Sequence, residues 1–108
     1  MIREYNKLVR DRIPAIIESK GANVTYHVLS DSEYKEALMN KLAEEFEELL
    51  QADTEEEVIE ELADLLSVCY ALADNIGRDK VFDRFTNKNI ERGLFKKRYF
   101  LESVENPT

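Results

Sequence analysis

Apolar positions recur at helical spacing over most of this chain, and breakers between them divide it into segments. The stretch IPAIIESKG, Ile13 to Gly21, predicts a short helix, with Pro14 suited to its first turn and Gly21 just past its end. NVTYHVL, Asn23 to Leu29, is apolar and β-branched, and predicts a short extended segment or strand near residues 24–29. Ser30 and Glu33 have capping-box spacing and open a long helix, SDSEYKEALMNKLAEEFEELLQA. QAD breaks it. Thr54 and Glu57 repeat the spacing and open a second long helix that should run to about Ile76, with Gly77 as its stop. DKVFDRFTNKNIER predicts a further helix ended by Gly93, and the tail LFKKRYFLESVENPT starts apolar and basic. A short link between long helices favours antiparallel neighbours, so the expected fold class is all-α, an antiparallel helical bundle. With no repeat, linker or composition shift, residues 1–108 are expected to form a single domain.

Placed on helical wheels, Leu38, Leu42, Phe46 and Leu49 define the expected buried stripe of the first long helix. The second is apolar nearly all round after Leu62 (Leu65, Leu66, Val68, Cys69, Leu72, Ala73, Ile76), and is expected to be central and well buried. A chain of 108 residues can bury one core but gains stability readily from a partner subunit.

Charge changes this picture. The formal net charge is -8, and Ala43 to Asp64 alone holds eleven of the 23 carboxylates with no Lys or Arg; the rest carries 15 basic groups against 12 acidic ones. A mildly basic body therefore surrounds one anionic patch. The overall sign speaks against a nucleic-acid polymer as partner, since phosphate backbones are held by Lys and Arg. No apolar run approaches the roughly 20 residues of a membrane span, and MIREYNKLVRDR lacks the apolar centre of a signal peptide. Cys69 is the single cysteine, which sets aside a disulfide framework and makes a reducing cytoplasm the expected compartment.

Some of the acid does not face water on the wheels. Glu44, Glu47, Glu55, Glu56 and Glu60 fit a solvated face, and acids just after Thr54 favour the helix dipole. Glu45, however, falls between Leu38 and Leu49, with Glu48 one turn on at the border of the apolar arc; Glu61 falls between Leu65 and Val68, with Asp64 flanking Val68. Each helix thus offers an inward-leaning pair three residues apart, roughly 5–6 Å neighbours on one face. Close buried carboxylates repel one another, and no basic residue within the stretch compensates. Four oxygen donors on facing helices suit a hard divalent cation, Mg²⁺ first and Mn²⁺ second. A di-iron bundle would pair Glu-x-x-His motifs, and the only histidine, His27, lies elsewhere.

The paired motif Glu45-x-x-Glu48 and Glu61-x-x-Asp64, within KLAEEFEEL and EELADLL, resembles the metal-binding helices of the all-α nucleotide pyrophosphohydrolases. That superfamily includes MazG-like proteins, dimeric dUTPases and phosphoribosyl-ATP pyrophosphohydrolase. YNKLVRDRIPAII and NKNIERGLF are similar to segments of its small phosphoribosyl-ATP pyrophosphohydrolase-like branch, so the likeness runs from Tyr5 to about Leu101. It implies a MazG-like bundle completed by a homodimer or higher homo-oligomer. It also implies Mg²⁺-dependent hydrolysis of a nucleoside triphosphate to the monophosphate and pyrophosphate, in a house-cleaning or nucleotide-pool role. Glu45, Glu48, Glu61 and Asp64 would hold the metal, and Glu48 is the expected base for the attacking water.

A triphosphate also needs direct cationic contacts. Lys7, Arg10 and Arg12 at the N-terminus and Lys88 and Arg92, an i,i+4 pair on the fourth helix, are the candidates, each alternatively an ordinary surface base. The aromatic residues read as core or interface, His27 as structural and Cys69 as a small hydrophobe. Two other classes of function stay open at this point: a non-catalytic module that binds Mg²⁺-nucleotide, and a purely structural helical oligomer.

Overall fold

The computed structural model describes residues 1–107. It contains four helices: α1 Ile13–Ser19, α2 Asp31–Leu50, α3 Glu55–Ile76 and α4 Arg78–Arg92. No strand forms among the described residues, and 22–30, which include the apolar NVTYHVL segment, run without regular structure into α2.

Local chemistry sets the helix ends. The Ser30 hydroxyl accepts the Glu33 N–H at 3.4 Å while the Glu33 carboxylate accepts the Ser30 N–H at 3.1 Å, which is the expected capping box. At α3 only half of the expected box forms. Thr54 Oγ1 accepts the Glu57 N–H at 3.1 Å, but the Glu57 carboxylate reaches one residue further back, to the Asp53 N–H at 3.1 Å. Two orphan donors are satisfied either way. Gly77 ends α3 and begins α4 at φ 142°, a backbone geometry that an L side chain rarely adopts, so the chain can turn within one residue.

α2 and α3 form an antiparallel pair. Leu38, near the start of α2, meets Val68 and Leu72 towards the end of α3, and Leu8, Tyr34, Leu42 and Ala71 pack around them. Further along, Glu45 meets Glu61 and Asp64, so residue numbers fall on α3 as they rise on α2. α4 packs on α3 alone, with the Tyr70 and Phe82 rings 5.4 Å apart, while α1 contacts no other helix closely.

Two expectations about burial are corrected. Phe46 is 51% exposed and not part of the buried stripe, because it sits about 80° round the helix from Leu38 while α3 covers a narrower arc. α3 is not buried all round either: Leu62, Leu66, Cys69, Tyr70 and Ile76 are exposed, since within one protomer α2, α4 and the Leu8–Arg10 segment cover only part of it.

Candidate metal centre

The turn of α2 that follows Leu38 and Leu42 carries Glu45 on the same face, and that face is pressed against α3. Glu45 is therefore buried, at 6% exposure, the one charged residue so buried among those described. Opposite it, Glu61 and Asp64 stand two turns and one turn before Val68 on α3, both half-buried. One carboxylate oxygen from each of Glu45, Glu61 and Asp64 lies within 4.8 Å of the others.

This cluster is incompletely neutralised by the chain itself. Lys41 Nζ stands 3.5 Å from Glu45 Oε1 and 3.5 Å from Glu44 Oε1, so its charge is shared. Arg10 donates to Asp64 Oδ1 at 2.8 Å. Glu45 Oε2 and Glu61 Oε2 are buried with no hydrogen-bond partner. A buried polar atom without a partner costs about 1–3 kcal/mol, more when charged, so two in one cluster ask for a physical reason. Burial pushes the Glu45 carboxyl above its ordinary range, and the Glu48 charge beside it pushes the same way, opposed by Lys41.

A divalent cation would supply what is missing. Oxygens around Mg²⁺ at about 2.1 Å stand roughly 3–4 Å apart, so the three carboxylates need only side-chain adjustment to share one ion. The donor set is all oxygen, and neither His27 nor Cys69 belongs to it, which fits Mg²⁺ or Mn²⁺ and disfavours softer metals.

Of the four expected ligands, the structure gathers Glu45, Glu61 and Asp64 into one triad and leaves Glu48 outside it. Glu48 is exposed, three residues along α2, and near enough to Glu45 to hydrogen-bond its protonated form. Among the expected substrate-binding residues, Arg10 reaches the cluster, whereas Lys7 lies over the Tyr5 ring, 5.9 Å from its centroid. Lys88 and Arg92 are exposed on α4, with no hydrogen bond or ion pair to the carboxylates and no contact between α4 and α2. Sequence reasoning missed Lys41, which sits just outside the acidic stretch; its i,i+4 spacing to Glu45 was the available signal. It also missed Ser67, whose hydroxyl accepts from Arg10 at 3.2 Å.

A family model described as MazG-like family matches residues 32–99, which include all four carboxylates and α4 but not Lys7 or Arg10. A protein of Mycolicibacterium smegmatis described as uncharacterized is 48% identical over 54 residues, which make up 50% of this chain and 55% of that protein. The match thus spans little more than half of that relative's length. No solved structure matches the chain.

Proposed function

Because this chain belongs to the MazG-like family, we propose that it is a Mg²⁺-dependent nucleotide pyrophosphohydrolase, converting a nucleoside triphosphate to the monophosphate and pyrophosphate. One observation carries the reading beyond family likeness: the Glu45 and Glu61 carboxylates, each with a buried oxygen that lacks a partner, come together across α2 and α3 beside Asp64. An acidic face kept only for solvation would turn those atoms to water.

Glu45, Glu61 and Asp64 would hold the cation, and Glu48 stands exposed beside Glu45 on α2. The bound ion would neutralise phosphate oxygens and lower the pKa of a coordinated water. Glu48, exposed and uncommitted to the triad, takes the proton as the water oxygen bonds to the α-phosphorus. The α–β anhydride bond breaks, and pyrophosphate leaves with the electron pair. Arg10, from the N-terminal segment, contacts the phosphate chain. Lys88, Arg92 and Lys7 join it in the assembled homo-oligomer rather than within one protomer. The substrate is a small nucleotide in the cytoplasm, and residues 1–108 form a single domain of that oligomer.

The test is pyrophosphate release with Mg²⁺ over a panel of ordinary and damaged nucleoside triphosphates, with phosphoribosyl-ATP included. Glu45→Gln and Glu61→Gln should each lower kcat/KM by at least a hundredfold, since each removes a ligand. Nucleotide binding without turnover across the panel would leave a non-catalytic binding module; no binding at all would leave a structural helical oligomer.

A further inference from the structure

Arg10 occupies an unusual place for a substrate contact, because in this chain its partner is a carboxylate of the proposed metal site. Leu8 packs on the Leu38, Val68 and Leu72 core and so fixes the N-terminal segment against α2 and α3. Two residues on, the Arg10 guanidinium donates to Asp64 Oδ1 at 2.8 Å and to Ser67 Oγ at 3.2 Å. Ser67 in turn donates to the Ala63 carbonyl at 3.1 Å, which leaves its lone pairs to Arg10.

This arginine does only part of a cation's work. It satisfies one oxygen of Asp64 at the rim and leaves Glu45 Oε2 and Glu61 Oε2 without partners. A divalent ion drawn to those two oxygens would come to lie beside the guanidinium charge, and the two repel. The Arg10 side chain is 60% exposed and its backbone is in no helix, so it is free to swing away. A phosphate chain brought in with the ion then offers the guanidinium two oxygens of matching geometry.

We propose that Arg10 is an exchangeable counter-ion: it neutralises Asp64 in the metal-free protein, gives up that carboxylate when a divalent cation binds, and moves to the phosphate oxygens of the nucleotide. The second half of this exchange rests on the pyrophosphohydrolase reading. The exchange makes Arg10 oppose metal binding and assist phosphate binding. A fixed structural ion pair would instead support both, and an inert surface pair would affect neither.

The experiment is calorimetry on the full chain, titrating Mg²⁺ alone and then inorganic tripolyphosphate at saturating Mg²⁺. Arg10→Met should bind Mg²⁺ roughly two- to fivefold more tightly, the scale of an exposed ion pair removed. It should bind tripolyphosphate roughly tenfold more weakly, the scale of a lost hydrogen bond between charged groups. Arg10→Lys, which keeps the charge but loses the fork, should fall between Arg10→Met and the wild type in both titrations. Arg3→Ala serves as control, because Arg3 stacks on Tyr5 in the same segment and contacts no carboxylate of the cluster; it should change neither titration. Weaker or unchanged Mg²⁺ binding in Arg10→Met, unchanged tripolyphosphate binding, or an equal effect of Arg3→Ala would each overturn the exchange. Wild-type protein that binds no Mg²⁺ at all would overturn the pyrophosphohydrolase reading itself.

Discussion

Glu45 is held where folding alone gives it little support. Its carboxyl is buried, Glu48 and Asp64 add like charge, and Lys41 answers only one of its oxygens at 3.5 Å. Because its folded-state pKa is raised, its contribution to stability is full below the unfolded value and is lost as pH rises through the folded one. At neutral pH, metal-free protein therefore bears the cost. Glu45→Gln should raise the melting temperature in EDTA by several degrees, a gain of about 1 kcal/mol. The same variant should lose the Mg²⁺-dependent rise that the wild type shows. Scanning calorimetry in EDTA and in Mg²⁺ reads both, and a variant less stable in EDTA would mean that the carboxylate is satisfied by the protein. Acidification should weaken Mg²⁺ binding at a pH above that at which an ordinary glutamate protonates. The inward placement of Glu45 and Glu61 was legible in the sequence, because a position between leucines on a wheel has one place to go. Lys41 escaped notice because the acidic stretch was bounded at Ala43, although a side chain four residues away lies on the same face.

Helix ends were legible at the element scale because caps are local chemistry. Ser30 with Glu33, Thr54 with Glu57, and Gly77 each act within a few residues, and α2 and α3 begin, and α3 stops, where these residues place them. The exception lies in detail: Glu57 caps Asp53 rather than Thr54. Thr54→Ala removes the acceptor of the Glu57 N–H at the one turn that joins the two ligand-bearing helices. It should cost about 1 kcal/mol in urea unfolding. Since Glu61 stands two turns into the same helix, it should also weaken Mg²⁺ binding slightly. Unchanged stability would show the cap to be replaceable by water. The NVTYHVL segment illustrates the opposite case. Its β-branched residues favour an extended chain, but a strand needs a partner, and the described residues offer none.

At the scale of the whole molecule, the protomer is unusually open for its length. Its radius of gyration is 19.3 Å, where a compact chain of this length has about 13 Å. Its accessible surface is 10355 Å², against about 6,200 Å² expected for its mass. The difference far exceeds the roughly 1,000–2,500 Å² that an obligate homodimer interface removes from each partner. Part of that surface is patterned. Met39, Phe46 and Leu50 on α2 and Ile59, Leu62 and Leu66 on α3 are exposed at intervals of three, four or seven residues. Each stripe is turned about 100° or more, in the same sense, from the face its helix presents to the other. In an antiparallel pair that places both stripes on one side of the two-helix layer, the geometry in which two such layers close a four-helix bundle. This pattern is why the wheel read Phe46 and most of α3 as buried: a sequence marks a face as apolar without saying which molecule covers it. Phe46→Asp and Leu66→Asp, on this side rather than on the face that carries Glu45 and Asp64, should convert an oligomeric wild type to monomer in sedimentation velocity at micromolar concentration. Each should also lower the melting temperature and make it concentration-independent. Wild-type protein that sediments as a monomer would refute the reading, and the contribution of Lys88 and Arg92 from a partner would fall with it.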